Sequence, residues 1–203
     1  AFGTHPLRTF VSLSDGCDGV AILPRGLFEY EVIENADRTL ALTLIRACRI
    51  KLAVSEEKQT ELPDDGIQCP GVRHFEYDIG VHGGDWQAAG LFTEAARGYV
   101  PARAMQIGRG KGKLPLEGGL LCLDNPRVHV SAVKPAERGS GVVVRLFNAA
   151  DKPERIVLRL HEGVRAVMRC GMDETVRSPV RLTRGLFKDT VPPHRIVSYL
   201  LEM

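Results

Sequence analysis

The sequence predicts a nearly all-β protein in two parts, carrying a single helix. Three observations lead there. Short apolar runs alternate with turn residues from Arg8 to Ile50. Only the segment after Asp85 has a helical period. From about Asn125 onward, short strands succeed one another at hairpin spacing.

Taken in order, "RTFVSLS" (Arg8 to Ser14) reads as a strand and "DGCDG" as a double turn signal. "GVAILP" and "LFEYEVIE" come next, then the turn "ENAD", then "RTLALTLIRACRI", where Leu40, Leu42 and Leu44 alternate with Ala41, Thr43 and Ile45. This is a meander in which at least one strand is expected to be buried on both faces. Ser55 to Gly71 is polar, carries Pro63, Gly66 and Pro70, and reads as a long loop. "RHFEYDIGVH" resumes strand alternation. In "DWQAAGLFTEAARGYV", Trp86, Ala89, Phe92 and Ala96 fall near a 3.6 period, so a helix is expected with Asp85 as N-cap, Trp86 as first residue and Gly98 as stop. After the glycine-rich loop at residues 108–119, the strands read "RVHVSAV", "GVVVRLFNA", "ERIVLRLHE", "VRAVMRC", "PVRLTRG" and "HRIVSYLLEM". These suggest a small antiparallel β-sandwich. The boundary between the parts is expected near "LDNP", giving domains 1–123 and 124–203.

Composition narrows the function classes. With 27 basic and 25 acidic residues the net charge is +2, which gives no reason to expect nucleic acid or an anionic membrane as partner. No apolar run approaches the length of a membrane span. The start, "AFGTHPLRTF", lacks a signal peptide's charged and apolar regions. It also lacks a methionine, which points to a processed chain or a piece of a longer one. The five cysteines are odd in number and show no C-x-x-C spacing. Scattered thiols in a reducing, cytoplasmic setting are therefore expected rather than a disulfide framework or a zinc site.

Motif searches for catalysis fail one by one. His161-Glu162 begins an H-E-x-x-H pattern, but Arg165 stands where the second histidine belongs. "GRGKGK" does not fit a phosphate-binding loop, since Leu114 comes directly after Lys113. There is no G-x-S-x-G elbow, and no pair among the 25 acidic residues stands out as a glycosidase pair.

One stretch, "VHGGDW" (Val81 to Trp86), combines a histidine, two glycines, an aspartate and the chain's single tryptophan. It has two readings. As architecture, Gly83 and Gly84 reverse the chain and Asp85 caps the expected helix. As function, His82, Asp85 and Trp86 line a sugar cleft, with the indole stacking on a pyranose and the carboxylate accepting from hydroxyls.

Four blocks in order carry a resemblance: "THPLRTFVSLSDGCDGVAILPRGLFEYEV", "RTLALTLIRAC", "CPGVRHFEYDIGVHGGDW" and "VHVSAVKPAERGSGVVVRLFN". Together with the last strands, they resemble the C-terminal region of glycoside hydrolase family 38 α-mannosidases, closest to the bacterial branch of mannosylglycerate hydrolases. The resemblance implies part of a galactose-mutarotase-like supersandwich with one helix, then a small β-sandwich. It implies that the zinc and the aspartate nucleophile belong to an N-terminal barrel of the same polypeptide, so no catalytic or metal residue is assigned here and the chain alone is expected to be inactive. The expected partner is that catalytic region, with carbohydrate as a further candidate, and self-association is expected if first strands are missing. "PRGL" (Pro24 to Leu27) departs from the Asn-Asp-Gly type turn common in the family. The alternatives are a free-standing lectin-like module using Trp86, and a mutarotase-like enzyme pairing a carboxylate with His74 or His82; for the latter, likeness of fold alone does not imply function.

Overall fold

The structure, a computed structural model, describes residues 3–34, 38–47, 50–51, 60–61, 68–100, 102–108, 110, 112 and 117–203. It has two compact units, Ala1–Pro101 and Ala102–Met203. The expected division after Leu123 therefore differs from the observed one. The reason is local: Leu121–Leu123 forms a strand that hydrogen-bonds within the second unit.

The first unit contains β1 (Thr4–Pro6), β2 (Val11–Ser14), β3 (Asp18–Arg25), β4 (Glu29–Ile33), β5 (Thr39–Leu42), β6 (Ile50–Lys51), β7 (Thr60–Glu61), β8 (Glu76–Gly83) and α1 (Leu91–Tyr99). Its antiparallel sheets run β1-β4-β5, β2-β3-β8 and β6-β7. Strand β3 is buried on both faces, as expected of one strand of the meander. On one side Ile22 joins Leu7 and Val11 in a small core, against which Tyr30, Leu40 and Leu42 pack. On the other, Ala21 is fully buried beside the buried Leu91 and Ala95 of the helix. The run beginning at Arg38 forms a strand only to Leu42; Leu44 and Ile45 are exposed. Within the expected long loop, β7 pairs with β6, which precedes it, Glu61 with Ile50 and Thr60 with Lys51; the rest of that loop up to Ile67 lies outside the described residues.

The helix starts later than its periodicity implies. Asp85 does cap a turn: its Oδ1 accepts from the backbone N–H of Gln87 at 2.9 Å and of Ala88 at 2.8 Å. The turn then breaks at Gly90, whose φ of 65° lies in the left-handed region, and α1 begins at Leu91. Trp86 thus belongs to the turn and not to the helix, and Gly98 lies inside α1.

The second unit contains β9 (Leu121–Leu123), β10 (Val128–Pro135), β11 (Val142–Asn148), β12 (Glu154–Leu160), β13 (Ala166–Cys170), β14 (Val176–Val180), β15 (Leu186–Val191) and β16 (Arg195–Glu202). The sheet β10-β11-β16-β13-β14 faces the sheet β15-β12-β9, the sandwich expected from the strand spacing. Alternation explains the packing. In β12, Ile156, Leu158 and Leu160 are buried while Arg155 and Arg159 are exposed. Burial of such a side chain contributes about 1.5–3 kcal/mol. Opposite them stand Val144, Leu146, Tyr199 and Leu201, all fully buried.

Two buried polar side chains of this sandwich, Tyr199 and Asn148, are paired. The Tyr199 hydroxyl donates to Asp189 Oδ2 at 2.7 Å, and its ring lies 4.9 Å from that of Phe187. Asn148, 1% exposed, donates to the carbonyls of Lys152, Val191 and Pro192 and accepts from the Ala150 N–H. At the sheet margins, β10 is interrupted by a bulge between Val130 and Ala132 and β14 carries Pro179, both of which discourage edge-to-edge pairing.

Candidate functional site

The "VHGGDW" stretch lies at the end of β8, the edge strand paired to β3 from Asp18↔Gly83 to Arg25↔Glu76. Because side chains alternate along a strand, Asp78, Gly80 and His82 share one face. That face is the one on which α1 lies.

His82 is held by its neighbours. Its ring reaches over Gly19, its register partner, so that a Cβ on residue 19 would lie 2.6 Å from Nε2. Nε2 then meets Ser12 Oγ on β2 at 2.8 Å. Nδ1 is buried and has no partner among the described residues. An unmet acceptor on a ring nitrogen is tolerated better than an unmet N–H. This favours the tautomer in which Nε2–H donates to Ser12 and Nδ1 is bare. The turn itself is tied down on the other side: Gly84 N–H donates to the Cys17 carbonyl at 2.7 Å, and Ser14 Oγ donates to the Gly84 carbonyl at 2.8 Å.

Between β8 and α1 lies a cleft of about 480 Å³. Its polar lining is His82, Asp78, Arg25, Glu94 and Arg97. Asp78 Oδ2 accepts from Arg25 at 3.0 Å, and Glu94 Oε1 accepts from Arg97 at 2.6 Å. The Arg25 guanidinium is held further into its charged form, first by the hydrogen bond to Asp78 and then by the charge of that carboxylate.

Of the three residues that the sequence singles out, the cleft receives one. His82 lines it. Asp85 is exposed, but one of its oxygens is taken up by the turn's own backbone. Trp86 is half-buried in an aromatic cluster, edge-on to Phe92 at 5.5 Å and 6.1 Å from Phe10. The indole is thus engaged in packing. Arg25, Asp78, Glu94 and Arg97 do not stand out in the sequence, because they come from three separate elements. A signal does exist for two positions: "DIGVH" puts a carboxylate and an imidazole at i and i+4 of one strand face, with only glycine between them on that face.

Among the described residues, no three or more His, Cys, Asp or Glu converge to hold a metal, so the zinc implied by the resemblance finds no fitting site among them. No described helix is long and apolar enough to cross a membrane. The "GRGKGK" loop lies partly outside the described residues.

Comparison with known proteins gives concordant matches. Residues 127–199 match the family model for the glycosyl hydrolases family 38 C-terminal beta sandwich domain. A protein of Halalkalibacterium halodurans named "Putative mannosylglycerate hydrolase" is 27% identical over 161 residues, covering 76% of this chain and 16% of that protein. The crystal structure of an alpha-mannosidase from Enterococcus faecalis V583 superposes with a TM-score of 0.78 at 26% identity, covering 98% of this chain and 21% of that one. A second Enterococcus faecalis structure, of a protein in glycosyl hydrolase family 38, gives a TM-score of 0.79 at 27% identity and covers 98% and 22% of the two chains.

Proposed function

We propose that this chain, a C-terminal β-sandwich region of glycosyl hydrolase family 38 proteins, is the non-catalytic part of a longer α-mannosidase-like enzyme, and that it packs against and rims a catalytic region carried elsewhere in the same polypeptide. The observation that carries this is one of proportion. The likeness runs through 98% of this chain yet takes up only 21% of the α-mannosidase it matches. The matched proteins are therefore several times longer, and this chain spans only a fraction of them.

Surface chemistry supports the reading. On β8, Tyr77, Ile79 and Val81 are exposed, Val81 at 83%. An edge strand with apolar side chains and no proline or bulge suits burial against more polypeptide. In a severed piece the same strand promotes self-association. Free thiols at Cys17, Cys122 and Cys170 accord with a cytoplasmic location. Contact with carbohydrate belongs to this proposal, but the lectin-like version built on Trp86 is disfavoured by the packing of that ring on Phe10 and Phe92.

The test is to express the longer polypeptide and this chain separately and assay both on aryl α-mannosides, with bound zinc measured in each. The expected result is zinc-dependent hydrolysis by the longer form alone. Hydrolysis by this chain, or none by the longer form, would overturn the reading.

A further inference from the structure

We infer that the cleft between β8 and α1 is a subsite for a neutral saccharide. Its ligand class rests on the proposed carbohydrate-active role, whereas its place rests on geometry alone. The floor is Gly80, where a Cβ would meet no heavy atom within 4 Å. The space above the strand is therefore open. Asp78 and His82, two residues to either side on the same face, stand at the ends of that floor. Glu94 and Arg97, one helical turn apart on α1, form the facing wall. A volume of about 480 Å³ lies within the usual range of small-ligand sites.

The charges point to the ligand. Arg25 is paired with Asp78 at 3.0 Å and with Glu76 at 3.6 Å, and Arg97 with Glu94, so both guanidinium groups facing the cleft are already matched by carboxylates and the charges of its lining residues cancel. Each bond uses one carboxylate oxygen. Asp78 Oδ1, Glu94 Oε2 and the second terminal nitrogen of Arg97 have no hydrogen-bond partner among the described residues. The cleft therefore offers acceptors and donors side by side without net charge. A sugar hydroxyl both donates and accepts, so neighbouring hydroxyls of a pyranose match this arrangement. A charged ligand would instead have to compete with an existing partner. Leu91, and Leu23 on the β3 position beside Asp78, add apolar surface for the ring's C–H faces.

The test uses the intact chain, labelled for amide NMR, titrated with methyl α-mannoside, α-mannobiose and methyl β-galactoside, and with inorganic phosphate as an anionic control. At least one saccharide should shift the amides of residues 78–82 and 91–98. Gly80→Val fills the floor, and valine suits a strand with open space above it. It should leave the remaining amides in place and weaken binding about tenfold or more, the loss of more than one hydrogen bond. Glu94→Gln, on the exposed wall, should weaken it roughly three- to tenfold while the chain stays folded. Absence of shifts with every saccharide, unchanged binding in Gly80→Val, or a stronger response to phosphate would each overturn the inference. Failure here alongside α-mannoside hydrolysis by the longer polypeptide would remove the subsite and leave the domain assignment standing. Saccharide binding without such hydrolysis would do the reverse.

Discussion

Gly19→Ala should cost the first unit about 2–4 kcal/mol, from an overpacking cost of about 1–3 kcal/mol plus about 1 kcal/mol for a lost hydrogen bond. The added Cβ would lie 2.6 Å from His82 Nε2, closer still to Cε1, and 3.0 Å from the Leu13 carbonyl oxygen. The β2–β3 ladder fixes that oxygen, so the imidazole has to yield. Moving the ring breaks its 2.8 Å bond to Ser12. Guanidinium denaturation monitored by tryptophan fluorescence reads this directly, because the chain's single tryptophan, Trp86, sits in the first unit. The decisive comparison is the double-mutant cycle with His82→Ala. With the ring gone, Gly19→Ala should cost less than about 1 kcal/mol, since only the tight carbonyl contact persists. An equal cost on both backgrounds would refute the argument that glycine is needed there to admit the histidine.

Three other perturbations have equally definite outcomes. Trp86→Ala should destabilise the first unit by about 2–3 kcal/mol in circular-dichroism melts, less than for a fully buried aromatic because the ring is half-exposed, and should leave saccharide titrations unchanged. Tyr199→Phe keeps the ring on Phe187 but removes the bond to Asp189, and should cost about 1–2 kcal/mol by chemical denaturation. Burial first, and then the bond to Asp189, pushes the Tyr199 phenol far above the ordinary tyrosine range. In a spectrophotometric titration this tyrosine should therefore stay protonated until the sandwich unfolds, with its stabilisation fully present below the ordinary range and lost only at higher pH. The Glu174 carboxyl is held below the usual range, first by the Glu137 N–H and then by Lys134. Its contribution should be present above the usual carboxylate range and disappear as pH falls through the depressed value; Glu174→Gln should flatten acid denaturation curves of the second unit.

The second sandwich is the more legible part in the sequence, and the departures elsewhere have identifiable causes. Alternating Val, Leu and Ile with Arg in "ERIVLRLHE" and "GVVVRLFNA" marks β12 and β11 within a residue or two. Strand β15 escapes the pattern because Lys188 and Asp189 break the apolar run. Asp189 is tolerated on the inner face only because Tyr199 donates to it and Arg169 lies 3.5 Å away, partners that are remote in sequence. Periodicity places the helix too early because a left-handed Gly90 cannot be distinguished by composition from an ordinary helical glycine. The turn chemistry of Asp85 is readable, since an Asx cap is a local interaction. The cleft is not, because its walls are made of Arg25, residues of β8 and a helix whose packing on β3 is a tertiary fact.

The position of β16 has a consequence for the order in which the chain can assemble. Arg195–Glu202 lies between β11 and β13, with Val142↔Leu201 on one flank and Val167↔Leu201 on the other. It carries Val197, Tyr199 and Leu201, which are core residues for both sheets. During synthesis, β10 and β11 can pair as a local hairpin, and so can β13 and β14. These two hairpins have nothing to join them until the segment through Glu202 has left the ribosome. The second unit therefore closes late and through long-range contacts, which favours slow folding. A nonsense mutation at the codon of Arg195 would remove the middle of a five-stranded sheet and leave two exposed hairpin edges for chaperones and proteases to find.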